Sequence, residues 1–380
     1  MAAALSGAGA SAVNRVGSQT QAFIASSTGA GIDVDGGITV DAFDTSAIDS
    51  TVFAVSVAVG VSTATNEIAS STSAIIDRSL VKAAGDITVR AKDDARIDSE
   101  STAIAFSLSI SIGVAFAGGG ANAFNTIRSS TYAAVDRSTP DKVPGSDTGL
   151  SVVNTGKTLT VLADSTSETN AEVKAAALSF GLIAAAAAGT VTENRLAPTV
   201  KALLRATEVP GSRDTTQVVV EARGLQKAMA KSNSLAVSTG ISVGTSLATT
   251  IDAGSITAEI GDDARVTAAV LRARALGLDE TYQRASASSG GLISAVGADS
   301  KLAILATTLV KMGDRGVHNV GLLDLSSSRV QNFDATSKNL SVGIFAGSGA
   351  SMSTTLTGAA DILIGASKVN AGSITIKADN

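Results

Sequence analysis

Residues Ala74 to Ala91 read AIIDRSLVKAAGDITVRA, in which a branched apolar segment precedes a polar turn and a strand of the form I-T-V-x-A. Variants of this phrase recur along the chain, and such recurrence is typical of repeat proteins. They span residues 22–42, 133–163, 202–222, 258–273 and 361–378. The copy at 133–163 carries a long insertion, and the copy at 258–273 is degraded. The sequence therefore predicts one fold unit that is used several times.

A polar position ten residues before the last branched residue of each phrase sets the register of the repeats. Asn, Asp or Thr occupies this position in every copy, at spacings of 52, 59, 69, 56, 49 and 55 residues. The seven positions are Asn14, Asn66, Asn125, Asn194, Thr250, Asp299 and Thr354. Constant intervals inside the unit and variable lengths outside it predict loops that accept insertions, the clearest at 141–155 and 208–216. We expect residues 1–380 to form one continuous array of about seven imperfect repeats of roughly 50 residues.

Long alternating stretches lie between these landmarks, such as FAVSVAVGV at residues 53–61. Alternation with a period of two, together with β-branched residues, predicts strands. One side of this strand carries Phe and Val, and the other carries Ala54, Ser56, Ala58 and Gly60. A side with such small residues lets another layer approach closely. We therefore take these four residues as the candidate packing face, both within the fold and between molecules.

The predicted fold class is all-β: a repetitive parallel β-helix or β-solenoid with about three strands in each repeat. Because a unit of this size cannot close its own core, neighbouring units must stack. With two or three rungs per repeat, the stack would contain roughly 14–21 rungs and extend roughly 70–100 Å. The recurring Asn, Asp and Thr would form a ladder of hydrogen-bonded side chains at one turn of each rung. Alternatively, they recur only because these residues favour turns.

Composition excludes several classes of function. The chain has no Cys, so disulfides, thiol catalysis and cysteine-based zinc sites are excluded. It carries a net charge of -5 and no run of Lys or Arg longer than two, which argues against a nucleic-acid partner. With 9 Phe, 2 Tyr and no Trp, its apolar residues are mostly small, and this favours thin layers over a thick core.

Groups that could carry chemistry are few. The single histidine, His318, has no G-x-S-x-G nucleophile to serve and is predicted to lie in a solvent-exposed turn. The adjacent acids at 93–94 and 262–263 would point to opposite sides of a strand, so we interpret them as polar turns. Asp33, Asp35 and Gly36 resemble part of a calcium loop that lacks its remaining ligands. We expect no enzymatic activity, cofactor or required metal, and incidental calcium at acidic turns is left open.

Two segments, 101–127 and 175–192, carry no charge. The first alternates with Ser and contains Gly118–Gly120, which disfavours a membrane-spanning helix. Buried strands explain both segments, so we expect a chain that does not span a membrane. The N-terminal segment lacks the basic and apolar regions of a signal peptide. Long uncharged strands also favour pairing between molecules, which predicts self-association.

Several phrases resemble the repeats of large bacterial exoproteins of the filamentous haemagglutinin and autotransporter type, which are giant repetitive surface adhesins. They are G-x-I-T-V-x-A at 85–91, S-V-A-V-G-V at 56–61, the Asn that follows it, and A-x-I-D-x-S at 74–79. The resemblance covers essentially the whole chain. It implies a right-handed parallel β-helical stalk outside the cell, with a structural or adhesive role.

Three functional hypotheses follow. The first is a structural segment of a large extracellular bacterial filament, sheath or adhesin that self-associates into a fibre or homo-oligomer. The second is a glycan- or surface-binding module that presents the insertion at 141–155, Tyr132 or Tyr282. The third is a polysaccharide-degrading β-helix enzyme. Each of them places the protein outside the cell or at the cell surface.

Overall fold

The computed structural model describes residues 6–27, 31–109, 114–136 and 151–380, and all regular secondary structure in these ranges is β-strand. The prediction of an all-β fold is therefore confirmed. Many strands are unusually long, with 26 residues each in the two longest. Strands in globular proteins are usually 3–10 residues long.

The strands form two sheets in which neighbouring strands are parallel. Sheet A consists of β1 (Gly7–Ala25), β4 (Val59–Asp77), β7 (Val114–Ile127), β8 (Ser130–Asp136), β11 (Ile183–Leu196), β12 (Thr199–Leu204), β15 (Ile241–Asp252), β16 (Ser255–Ile260), β18 (Ile293–Ile304), β19 (Thr307–Met312), β21 (Phe345–Leu356) and β22 (Ala359–Ile364). Sheet B consists of β2 (Ile32–Val34), β3 (Ile38–Ser56), β5 (Leu80–Ala83), β6 (Ile87–Leu108), β9 (Ser151–Thr155), β10 (Thr158–Phe180), β13 (Thr207–Pro210), β14 (Gln217–Ser238), β17 (Arg265–Gly290), β20 (Val317–Val342) and β23 (Lys368–Asp379).

The chain crosses sheet A and then sheet B once per repeat, and each pass pairs with the next pass along the sequence. We call one pass through sheet A, with the pass through sheet B that follows it, a rung. Seven rungs result, numbered from the N-terminal side. Among the described residues, five rungs contain three strands and two contain four, which agrees with the prediction of about three strands in each repeat. The predictions of 14–21 rungs and of a length of roughly 70–100 Å are wrong, because each repeat forms a single rung of long strands. Six intervals of about 4.8 Å make the stack about 29 Å deep.

Corners lead from sheet A into sheet B of the same rung. Among the described residues, five corners hold a non-glycine residue in the left-handed region, with φ between 44° and 58°. These residues are Ser26, Arg78, Ala206, Asp263 and Arg315. Ion pairs between neighbouring rungs brace two of the corners, at 2.7 Å between Arg205 and Asp136 and at 2.7 Å between Arg315 and Asp263. The opposite edge holds the turns that lead from sheet B to sheet A of the next rung.

The interior changes in character from the corners to these opposite turns. Near the corners it is filled by large branched residues such as Ile87 and Leu159. A second group around Ile68 and Ile97 follows. Beyond the column of residues that includes Asn66, the interior consists mainly of alanine together with buried Ser and Thr. We call the part between the corners and this column the body, and the part between the column and the opposite turns the tip.

The described parts of the two predicted insertions lie on the corner side. Residues 141–150 lie outside the described residues, whereas Ser151–Thr155 form β9 inside sheet B rather than a protruding loop. The second insertion contains the end of β13 and the turn that leads into β14.

Candidate functional site

The predicted polar register forms a column of side chains inside the protein. The amide group of Asn14 donates to Asn66 at 2.9 Å, Asn66 donates to Asn125 at 2.9 Å, and Asn125 donates to Asn194 at 3.2 Å. The latter three residues are at most 1% exposed. Asn194 also donates to the Met229 carbonyl of sheet B at 2.8 Å. The column lies in the middle of long strands, so its expected placement at a turn is wrong.

The column continues beyond the asparagines with different residues. Thr250 pairs with Asn194, Leu302 with Thr250, and Thr354 with Leu302. Asp299 therefore does not belong to the column, and its assignment was wrong by three residues. In this rung the last apolar residue before the corner is Met312, which pairs with Ile260, and the position ten residues before it is Leu302.

Asp299 lies on the outer side of sheet A. It accepts a hydrogen bond from Ser351 at 2.7 Å, and this bond holds the pKa of its carboxyl group below the usual value. The side chain is thus a surface acceptor between two rungs.

The candidate packing face points into the protein. Ala54 and Ala58 are 4% and 6% exposed, and Ser56 is half-buried. A Cβ atom on Gly60 would lie 3.0 Å from the Ile104 carbonyl oxygen of the opposite sheet, so the two backbones are close here. The face therefore packs sheet against sheet within one molecule. Its expected use between molecules is wrong, because the opposite side of the same strands is the exposed one.

That exposed side gives the tip a continuous apolar surface, which we call the apolar edge. It consists of Phe53, Val55, Val57, Val59, Val61, Phe106, Leu108, Val114, Phe116, Leu182, Ile183, Leu235, Ile241, Val243, Leu292, Ile293, Leu340, Val342, Ile344 and Phe345. Each turn of the tip lies in an uncharged segment, at 50–66, 101–127, 175–192, 232–251, 285–298 or 339–360. The typical largest apolar patch on a monomer is only about 300–600 Å², so an edge of this extent indicates an interaction surface.

A belt of buried polar groups crosses the body. In rung 2, Asp93 accepts a hydrogen bond from Ser70 at 2.8 Å, and burial raises the pKa of its carboxyl group. Asp93 and Asp94 point to opposite sides of β6, but neither lies in the predicted turn. Asp94 instead pairs with Lys92 on the outer side at 2.9 Å.

The strongest part of the belt lies between rungs 4 and 6. Arg329 is 2% exposed and donates through Nε to Asp279 at 2.7 Å and through Nη2 to Gln226 at 3.1 Å. Burial and the nearby carboxylate of Asp279 raise the pKa of Asp252 to about 8. Asp252 is therefore protonated at neutral pH, so Asp279 and Arg329 form one balanced ion pair. Sequence reasoning missed these residues because their partners are about one rung apart in the chain.

The other sequence-derived candidates carry little chemistry. His318 is 1% exposed within β20, which contradicts the predicted solvent-exposed turn, and burial lowers its pKa to about 4. Asp33 forms an exposed ion pair with Lys82 at 2.9 Å. Among the described residues, no group of three His, Cys, Asp or Glu side chains is placed to hold a metal ion.

The two tyrosines occupy different settings. Tyr132 is largely buried, which raises its pKa to about 12. Tyr282 is 36% exposed on the flat outer side of sheet B, and the Lys231 ammonium lies 5.9 Å from its ring centre. It lines a shallow cleft of about 470 Å³ together with Phe333, Asn332 and other polar residues.

Comparison of the chain with protein-family models, with curated proteins and with solved structures finds no match. In the described part of the chain, no helix has the length and apolar character needed to cross a membrane.

Proposed function

We propose that this chain is a structural segment of a large extracellular bacterial filament, sheath or adhesin, built as a parallel β-solenoid that acts by stacking and self-association. The observation that carries the proposal is the unbroken parallel pairing of seven rungs. Among the described residues, the outer strands of rungs 1 and 7 each keep one edge without a strand partner. Such edges present free N–H and C=O groups to any further strand.

The interior side chains of rung 7 support stacking of this kind. Leu356 pairs with Ile304, and Ile364 pairs with Met312. In rung 6 these two positions are 0% and 1% exposed, whereas in rung 7 they are 42% and 51% exposed. A further rung would bury both residues, at roughly 25 cal/mol for each Å² of apolar surface removed from water.

Electron microscopy of the purified chain tests the proposal. We expect ribbons that lengthen along the stacking direction, with fibre diffraction at about 4.8 Å. Thr354→Lys places a charge in the interior column at the open end and should shorten the ribbons. Thr355→Lys places the same charge on the outer side and is the matched control. Compact particles with the mass of one chain at every concentration would contradict the proposal.

The extracellular location and the non-catalytic role rest on the resemblance to repetitive exoproteins, and the absence of cysteine is compatible with them. Labelling intact cells of the source organism with antibodies tests the location. Surface labelling without permeabilisation is expected. Labelling only after permeabilisation would contradict it.

A second candidate function, glycan binding, is favoured by the cleft around Tyr282. An aromatic ring beside amide, carboxylate and ammonium groups provides an apolar platform with polar groups that set orientation. A glycan array followed by titration tests this candidate. Tyr282→Ala should weaken binding about tenfold, a loss of about 1.4 kcal/mol. Tyr132→Phe, which keeps the buried ring of the other tyrosine, should leave binding unchanged.

A further inference from the structure

The outer side of sheet A in the tip carries two parallel columns of residues, four positions apart along the strands. The first column is a ridge formed by Phe116, Ala185, Ile241, Ile293 and Phe345. The second is formed by Gly120, Gly189, Thr245, Gly297 and Gly349 in rungs 3 to 7, whereas rung 2 has Val61 at this position. This second column lies in a groove of about 770 Å³ that runs along the stacking direction.

The ridge stands highest above the groove in the rungs where a Phe or Ile on the ridge is paired with a Gly in the groove. Phe116 and Phe345 are 57% and 68% exposed, so their rings stand out from the sheet. A Cβ atom on Gly297 or Gly349 would meet nothing within 4 Å, so the groove is open above these residues.

The spacing of the columns makes the surface complementary to itself. A column of Gly118, Ala187, Val243, Ala295 and Gly347 lies midway between ridge and groove. A two-fold axis over this middle column, parallel to the stacking direction, turns one copy onto another with its strands reversed. Each ridge then lies over the partner's groove, as an isologous interface requires. Ile293 of one copy would lie over Gly297 of the other, in the same rung of two stacks that run in the same direction.

We infer that the sheet A side of the apolar edge binds a second copy of this chain through this two-fold arrangement. The inference rests on the proposed structural function and adds lateral pairing to the end-to-end stacking described above. The bodies would project in opposite directions from the paired tips and keep their charged outer sides in water.

The area of the surface is sufficient for such an interface. From the turns to the column that contains Leu247, the overlap spans about eight residues, or about 26 Å along the strands. The two columns run through five rungs, or about 24 Å, so each copy would bury roughly 600 Å². Stable interfaces bury about 600–1,000 Å² on each partner.

A lipid surface is the competing occupant, and the geometry favours it less. A fluid lipid surface has no fixed shape for the ridge and groove to match. The charged residues that border the tip also have both signs, as Lys174 and Glu172 show on sheet B. A purely basic border would suit an anionic membrane better.

Three variants of the full chain distinguish a second copy of the chain from a lipid surface as the binding partner. Gly297→Leu fills the groove without a clash inside the protein and makes the surface more apolar. Val243→Lys places two facing charges on the two-fold axis. Leu235→Lys is the matched control, because it flanks the same turn on sheet B and is 42% exposed against 38% for Val243. Circular dichroism checks that each variant folds, and light scattering and ribbon width in electron microscopy measure pairing.

We expect the wild-type chain to form paired stacks. Gly297→Leu and Val243→Lys should each raise the dissociation constant at least about tenfold, whereas Leu235→Lys should change it less than about twofold. Single-width wild-type ribbons at every concentration would overturn the pairing and leave the proposed stacking intact, whereas compact particles would overturn the stacking itself. Equal weakening by Val243→Lys and Leu235→Lys, or unchanged pairing of Gly297→Leu, would also overturn the inference. So would binding of unpaired wild-type and Gly297→Leu chains to phosphatidylcholine vesicles, because lipid would then be the occupant.

Discussion

Strands in both the body and the tip alternate between two kinds of residue. In the body the larger apolar residues point inward, whereas in the tip the smaller residues point inward. In the body, Ile97 is fully buried, while Arg96 and Asp98 on either side of it form an outer ion pair at 2.7 Å. In the tip, Ala177 is fully buried and its larger neighbour Leu178 lies on the outer side. Alternation therefore identifies a strand, but the side that turns inward depends on the space between the sheets.

The space between the two sheets is smallest in the tip. A Cβ atom on Gly119 would lie 2.7 Å from the Ala176 carbonyl oxygen, and one on Gly244 would lie 2.8 Å from that of Ser288. Small side chains such as those of Ala, Gly and Ser fit between backbones at this distance, so most of the Val, Phe and Leu side chains of the same strands lie on the outer side. The exposed apolar edge is thus a direct consequence of the narrow interior.

The largest loss of stability is expected for variants in the buried polar belt of the body. Arg329→Ala removes the only cation that contacts Asp279 among the described residues and leaves a buried carboxylate without its partner. We expect a loss of about 3–5 kcal/mol in the free energy of unfolding, measured by urea denaturation. The double variant Arg329→Met/Asp279→Asn removes both charges and should lose less than Arg329→Ala. An equal or larger loss in the double variant would contradict the account of a balanced ion pair.

A cavity in the body should cost nearly as much. Ile97→Ala removes a fully buried branched side chain from the group that includes Ile48, Ile68 and Ile127. Such truncations cost about 2–5 kcal/mol because the surroundings collapse only partly into the cavity. Denaturation in urea, compared with Arg96→Ala on the outer side, measures the difference. Similar losses for the two variants would refute the inward placement of Ile97.

The tip should respond to the opposite change, an increase in size. Ala177→Leu forces a large side chain between the closely spaced sheets and should cost about 1–3 kcal/mol through overpacking. Ala176→Leu adds the same atoms on the outer side of the neighbouring position and should be nearly neutral. If Ala177→Leu is tolerated as well as Ala176→Leu, the tip is not as narrow as its glycine contacts indicate.

The difference between body and tip explains which features of the fold could be predicted from the sequence. The alternation at 53–61 was sufficient to predict strands, and the recurrence of Asn14, Asn66 and Asn125 was sufficient to predict a common register. The exposed position of Phe53 and Val55 could not be predicted, because hydrophobicity alone places such residues inside. The ion pair of Arg329 with Asp279 depends on partners 50 residues apart, so it becomes visible only when the pairing of rungs 5 and 6 is known.

A smaller loss of stability is expected for variants in the column of side chains between the body and the tip. Asn125 accepts a hydrogen bond from Asn66 and donates to Asn194, and Asn125→Ala breaks both bonds. We expect a loss of about 1–2 kcal/mol, because buried amide groups of its neighbours lose their partners. Thr250→Val is the control in the same column, since the buried Thr250 hydroxyl has no hydrogen-bond partner within the described part of the chain. A loss for Thr250→Val as large as that for Asn125→Ala would show that packing rather than the ladder stabilises this column.

The smallest expected effect is a dependence on pH that belongs to the belt and not to the tip, whose segments are uncharged. The pKa of Asp252 is raised from 3.8 to about 8 in the folded protein, so the folded state holds a proton that the unfolded state releases. Stability from this group is complete below about pH 4 and is lost as the pH rises through 8, with a loss of about 1.4 kcal/mol between pH 7 and pH 9. His318, with its pKa lowered to about 4, has the opposite slope and acts only between about pH 4 and 6.5, so it does not contribute in this window. Asp252→Asn keeps a neutral group at this position and should abolish the loss between pH 7 and pH 9 in urea denaturation. A variant that loses as much stability as the wild type over that interval would assign the proton to another group.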